Sequence, residues 1–232
     1  RLNEAFVHRI RYQRPWGILK YAMTLDGKIA TSTGHSAWVT GTAARQRVHH
    51  LRSVCEAVIV GGNTVRKDNP QLTCHGVSDR RPLRVVMSRS LNLPESAHLW
   101  DTSLGPTAVC IPLGVNREGQ QRLRDLGVEI VELEPYSPDA VMQWLDRRDC
   151  LQVLWECGGQ LAAQAIAAGA VQKIMAFIAP KIIGGTGNYS PIGDLGLTQM
   201  TDALGLREVS IEPIAEDLLI TGYLSPSKKY YS

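Results

Sequence analysis

The chain has 232 residues, 44% of them hydrophobic, and a net charge of only +3. That is long and apolar enough to bury a core, which excludes a disordered chain, and too weakly basic to argue for nucleic acid. No apolar run approaches the roughly 20 residues of a membrane span.

Five cysteines, Cys55, Cys74, Cys110, Cys150 and Cys157, are odd in number and scattered, and no pair has the C-x-x-C spacing of a zinc or redox site. The expectation is a reducing, cytoplasmic setting without a metal. The amino end, Arg1 to Gln13, is basic and polar, and it starts without methionine. It reads as the end of a linker in a longer polypeptide, setting residues 1–14 apart from a single domain over 15–232.

The first apolar run, Trp16 to Met23, reads as a buried strand interrupted by one cation, Lys20. A buried cation is costly unless a partner or ligand uses it. Either its stem is buried at a sheet edge with the head in water, or it is held against a phosphorylated or carbonyl-bearing ligand. The chain then turns at Asp26-Gly27, where glycine tolerates positive φ.

Thr40 or Thr42 is the expected N-cap of a helix over Thr42 to Val54. Its apolar stripe is Ala44, Val48 and Leu51, while Arg45, His49 and Arg52 share a basic face that is either solvated or an anion clamp. Trp38, in the loop before it, is a packing anchor or a ring contact. A strand over Ala57 to Gly61 ends in Gly61-Gly62 and leads to Thr64 and Asp68, which a helical turn would set facing one ligand. Asp68 could equally cap the turn before Pro70.

Further strands are expected at Leu83 to Met87, Thr107 to Ile111, Val128 to Leu133, Leu151 to Trp155 and Lys173 to Ala179. Helices are expected at Asn116 to Leu126, Pro138 to Arg147 and Gly159 to Ala168. This alternation predicts a mostly parallel sheet covered on both faces. After Trp155 come Glu156 and then Gly158-Gly159, opening a helix. Amide groups at such a start suit a pyrophosphate, and a strand's carboxyl end is where ligands bind in open α/β sheets. A merely structural turn is the alternative.

The glycine-rich segment Ala179 to Gly187 reads as a turn or pocket wall. Val209 to Pro213 and Asp217 to Tyr223 read as an antiparallel hairpin turning near Ala215. The first strand is not followed by G-x-G-x-x-G, so any nucleotide must be held otherwise than in a Rossmann domain.

Six stretches carry a resemblance. They are KYAMTLDGKIA at Lys20 to Ala30, SAWVTG at Ser36 to Gly41, VHHLRS at Val48 to Ser53, VGGNTVRKDNPQLT at Val60 to Thr73, WECGGQLA at Trp155 to Ala162 and APKIIGG at Ala179 to Gly185. In this order they resemble the reductase domain of the bifunctional riboflavin-biosynthesis deaminase/reductase, in the dihydrofolate-reductase-like superfamily. The resemblance implies a three-layer α/β/α fold with a mostly parallel sheet and a C-terminal antiparallel hairpin. It also implies NADPH-dependent reduction of 5-amino-6-(5-phosphoribosylamino)uracil, with hydride going to ribose C1′ and the sugar opening to a ribityl chain.

Carried over by position, Ser36 and Arg52 would hold the substrate and its phosphate, with Leu72 and Glu156 lining that site. Ala22, Trp38, Thr64, Asp68 and the run Gly158, Gly159, Gln160, Leu161, Ala162, Ala163 and Gln164 would hold NADPH. Lys20, Asp68 and Glu156 are the candidates near the reacting carbon, Glu156 and Lys20 assisting proton movement and Asp68 mainly positioning.

His75 stands where bacterial members commonly place an arginine on the phosphate. That is closer to archaeal and fungal-type reductases, which act on the 2,5-diaminopyrimidinone before deamination, whereas Ser36-Ala37-Trp38 favours the bacterial type. Ser88-Arg89-Ser90 replaces a usual acidic residue and would suit the 2′-phosphate of NADPH. The deaminase zinc ligands H-x-E and P-C-x-x-C are absent. Leu2 to Phe6 resembles the family's interdomain linker, implying fusion to an N-terminal deaminase domain.

A homodimer, through the terminal hairpin, is a further implication. The competing readings are the diaminopyrimidine reductase and a non-catalytic NADPH- or nucleotide-binding relative. Dihydrofolate reductase itself does not fit, because Thr42 to Val54 offers no carboxylate to a pteridine.

Overall fold

Nine strands form one sheet in a computed structural model that describes residues 3–187 and 189–225. In chain order the elements begin α1 (Glu4–Tyr12), β1 (Trp16–Thr24), α2 (Thr42–Val54), β2 (Ala57–Gly61), α3 (Gly62–Asp68), β3 (Leu83–Met87), β4 (Thr107–Pro112) and α4 (Arg117–Asp125). They continue with β5 (Glu129–Leu133), α5 (Pro138–Asp146), β6 (Gln152–Trp155), α6 (Gly159–Ala167), β7 (Lys173–Ala179), β8 (Leu206–Ile214) and β9 (Asp217–Leu224). The strand order is β5-β4-β3-β2-β6-β1-β7-β9-β8, with β5 through β7 parallel and β9 antiparallel to both β7 and β8.

Successive strand residues point to opposite faces, and two cores follow from that alternation. Leu19, Ile59, Val85 and Val153 pack under α5 and α6 with Val141, Leu145, Ala162 and Ile166. Ile18, Val58, Val60, Val86 and Leu154 pack under α2, α3 and α4 with Ala44, Val48, Leu51, Val65 and Leu123. The apolar stripe expected of α2 is therefore its buried face.

Four features differ from expectation. The N-cap of α2 is Gly41, without a side-chain cap, rather than Thr40 or Thr42. Lys20 sits on β1 in the interior of the sheet, between β6 and β7, so the sheet-edge alternative does not apply. The segment read as linker holds α1, which buries no residue fully and is fastened by polar ties. Glu4 accepts from Lys173 Nζ at 3.1 Å and Tyr223 Oη at 2.7 Å, and Arg9 donates to Asp146 at 2.7 Å and Asp149 at 2.8 Å. Finally, β8 starts three residues earlier than expected and carries a register irregularity between Arg207 and Ser210, where Glu208 takes φ 51°. The hairpin turns at Ala215, φ 53°, as expected. No helix among the described residues is long and apolar enough to cross a membrane.

Candidate active site

Strand β6 lies between β1 and β2, pairing Trp155 with Leu19 on one side and Ile59 on the other. One residue further on, Lys20 and Glu156 emerge together on the α2 face of the sheet, in step with Ile18 and Leu154. Arg52, in the last turn of α2, completes the cluster. Its Nε donates to Glu156 Oε1 at 2.6 Å and its Nη2 to Oε2 at 3.0 Å, while Nη1 donates to Thr73 O at 2.9 Å. Lys20 Nζ stands 3.9 Å from Glu156 Oε2, and the three side chains are only 10–17% exposed.

Burial alone would raise the Glu156 carboxyl, but the Arg52 charge and hydrogen bonds, with Lys20 behind them, hold it below its ordinary range. Burial lowers Lys20, against the opposing pull of Glu156. Two cations thus share one carboxylate. His49 and His75 extend the cluster, their rings stacked at 4.3 Å. Burial, His75 and Arg52 lower His49 to about 4, and burial and Arg52 lower His75, so both are neutral at pH 7.

Beside this cluster a cleft of about 950 Å³ opens at the carboxyl ends of β2, β3 and β6. The start of α6 forms part of its wall. Gly158 is the N-cap without a side-chain cap, and a Cβ there would meet nothing within 4 Å. At Gly159 a Cβ would lie 2.5 Å from Ser190 O, so only glycine lets the 190–193 loop close over the helix start. The first turn of the helix nonetheless lines the cleft, where a helix start favours an anion. Ser88, Arg89 and Ser90 line the same cleft, as does Arg66. Dinucleotide-sized space, helix-start amides and flanking guanidinium groups fit a nicotinamide cofactor.

Of the residues expected to hold cofactor, Thr64, Ser88, Arg89, Gly158, Gly159, Gln160, Leu161 and Gln164 line the cleft. Ala162 and Ala163 turn into the protein, 0% and 6% exposed. Ala22 packs half-buried against the α2-side core, and Trp38 stands 69% exposed outside the cleft. Thr64 and Asp68 do lie one helical turn apart on α3, but they part company, since Asp68 accepts from Ser36 Oγ at 2.6 Å.

The basic face of α2 divides likewise. Arg45 stacks on Trp38, His49 on His75, and Arg52, 9% exposed, is taken up by Glu156 rather than offered to solvent. Leu72 has φ 56° and is 3% exposed, its side chain in the α2-side core instead of a pocket wall. Sequence reasoning missed Ile29, Arg66, Tyr136 and the Tyr189–Asp194 segment as cleft lining. Arg66 was one turn from Gly62 and within reach of notice, whereas the 189–194 loop carries no local signal of its destination.

The strand order and the cleft define a dihydrofolate-reductase-like α/β protein. Dihydrofolate reductase from Enterococcus faecalis shares this fold at a TM-score of 0.50, with 10% identity across 90% of this chain and 96% of that one. Within that class the chain belongs to the RibD C-terminal domain family, whose model matches residues 15–220.

The riboflavin biosynthesis protein RibD of Synechocystis sp. is 58% identical over 97% of this chain and 61% of its own length. The chloroplastic riboflavin biosynthesis protein PYRR of Arabidopsis thaliana is 48% identical over 97% of this chain and 38% of its own. Among solved structures, the deaminase/5-amino-6-(5-phosphoribosylamino)uracil reductase of Thermotoga maritima superposes with TM-score 0.80 at 28% identity, covering 96% of this chain and 60% of that one. The chain thus spans about three fifths of the RibD relatives it matches.

Proposed function

We propose that the chain is an NADPH-dependent reductase of riboflavin biosynthesis, acting on 5-amino-6-(5-phosphoribosylamino)uracil. The observation that carries this reading is the Lys20–Glu156–Arg52 cluster adjoining the cleft at the α6 start, in a chain of the RibD C-terminal domain family. NADPH, when bound, supplies the hydride that C1′ of the ribose receives.

The protein's own residues manage the charge and the protons. The α6 amides and the Ser88–Ser90 turn hold phosphate groups, with Arg89 favouring a 2′-phosphate. Glu156, kept ionised by Arg52, accepts hydrogen bonds from the sugar and orients it. Lys20, whose ammonium burial disfavours, is the readier proton donor to the ring oxygen as the C1′–O bond opens. Asp68 acts through Ser36, which it holds. Ser36 and His75 remain the proposed contacts to the substrate phosphate, and the surplus positive charge of the cluster supports binding a dianion there.

The test supplies NADPH with the deaminated and the undeaminated ribosylaminopyrimidine phosphates and follows absorbance at 340 nm, a wavelength set by the reduced nicotinamide (about 340). Oxidation with the deaminated compound is expected. Oxidation only with the undeaminated one would make the chain the diaminopyrimidine reductase instead, and no oxidation with either would leave a binding protein. Equal kcat/KM for NADPH and NADH would reject the role given to Arg89.

The proposal includes a homodimer, supported by the exposed apolar residues of β8, and fusion to a deaminase as in the Thermotoga maritima protein. It also places the protein in a reducing, cytoplasmic setting, supported by five buried, unpaired cysteines.

A further inference from the structure

The cleft has a direction. Its reactive end lies at β6 and β1, where Lys20 and Glu156 emerge, and the α6 start follows β6 directly. Its far end lies at β3, two strand spacings or about 10 Å from β6, where Ser88 to Ser90 line it together with Tyr136 from the segment after β5. A dinucleotide with its phosphates at the α6 start and its hydride carbon towards the cluster carries its adenosine to this far end.

The chain leaves the sheet there at Arg89. Ser88, 3% exposed, still donates its N–H to Cys110 O at 3.0 Å. The Arg89 side chain has no carboxylate or hydrogen-bond partner among the described residues, in contrast to Arg66, whose Nη1 donates to Asn92 O at 2.7 Å. What holds Arg89 is a ring, its guanidinium carbon lying 5.6 Å from the centroid of Tyr136.

Tyr136 can hold a cation in place because it is itself held. It packs half-buried against the core that contains Met87 and Leu133, and the next residue, Ser137, caps α5 by accepting from Ala140 N at 3.1 Å. Burial pushes its phenol up, so at neutral pH the ring meets Arg89 as an uncharged aromatic face and leaves the guanidinium charge uncompensated. Such a guanidinium on a fixed platform suits a phosphate monoester, to which it can donate two parallel bonds.

We propose that Tyr136 is a positioning residue for Arg89, presenting its guanidinium to the 2′-phosphate of the adenosine ribose and so setting the preference for NADPH over NADH. This rests on the functional reading above for the identity of the dinucleotide. A long side chain that samples its rotamers freely loses that freedom on binding, whereas one already laid on a ring has less to lose.

The experiment measures kcat/KM for NADPH and for NADH. By calorimetry, without turnover, it also compares binding of adenosine 2′,5′-bisphosphate with binding of adenosine 5′-monophosphate. The variants are Tyr136→Leu, Tyr136→Phe, Arg89→Met and the Tyr136→Leu/Arg89→Met double variant. Tyr136→Leu should lower the NADPH to NADH ratio, and the calorimetric preference for the 2′-phosphate, about fivefold. Tyr136→Phe keeps the ring face and should hold both to within about twofold of wild type. Arg89→Met should lower both about thirtyfold, and adding Tyr136→Leu to it should lower them no further.

An unchanged ratio in Tyr136→Leu would overturn the proposal, as would a loss falling equally on both cofactors, the mark of a merely structural wall. So would an effect of about fivefold that persists without Arg89. Calorimetric preference with these couplings but no reduction of either pyrimidine would refute the proposed reaction and leave the role of Tyr136 standing. A wild-type chain that reduces the pyrimidine yet is indifferent to the 2′-phosphate would do the reverse.

Discussion

Glu156 is the residue on which most converges. It ends β6, it is 10% exposed, and it faces two cations. Removing the charge from one member of a buried, hydrogen-bonded set leaves the others uncompensated, at a cost on the order of 3–5 kcal/mol. Glu156→Gln is therefore expected to lower stability by about 3 kcal/mol in chemical denaturation and kcat by at least about a hundredfold. Turnover within about twofold of wild type at saturating substrate would remove Glu156 from the mechanism.

Lys20 and Glu156 could both be named from the sequence, because each is a charge set against an apolar strand. Their pairing with Arg52 could not. Helical spacing placed Arg52 on a face with Arg45 and His49, yet the last turn of α2 descends onto the sheet, and there Arg52 meets a carboxylate 104 residues away.

Among the elements, α1 shows where local pattern fails. Nine residues without a fully buried side chain do not make a stable helix in isolation, and the hydrogen bonds of Glu4 and Arg9 that fasten it are all to distant segments. Arg9 binds Asp146 and Asp149 near the end of α5, and Glu4 binds Lys173 and Tyr223 on β7 and β9. His8 packs edge-on to Trp16 at 5.1 Å, and burial with nearby Arg14 lowers it to about 4.

The unfolded chain, with an ordinary histidine near 6.5, takes up this proton first. The contribution of His8 is therefore complete above pH 6.5, is lost as pH falls from 6.5 towards 4, and changes no further below that. Melting temperatures measured from pH 7 to 4 should fall more steeply in wild type than in His8→Phe. Parallel curves would show that α1 does not depend on a neutral His8. His49 contributes in the same direction in both proteins and cancels in the comparison.

At the scale of the molecule, the edge strand β8 is where the proposed homodimer can be tested. β8 is exposed along its interior, with Val209 50% and Ile211 64% exposed, and an uncovered apolar edge strand invites pairing. If two copies meet there, Ile211→Glu should convert the dimer to a monomer in sedimentation velocity while leaving NADPH binding within about twofold, because the cleft lies across the sheet at β2, β3 and β6. An unchanged sedimentation coefficient would place the interface elsewhere.

Strand positions other than the start of β8, the alternation that builds two cores, the turn at Asp26-Gly27 and the glycine pair that opens α6 were determined by the sequence alone, since each depends on neighbours within a few residues. Tertiary structure alone decided which strands adjoin, that β6 inserts between β1 and β2, and that the 189–194 loop walls the cleft. It also decided that Lys20, Arg52 and Glu156 share one buried site. Those facts depend on contacts between segments far apart in the chain, and no local periodicity encodes them.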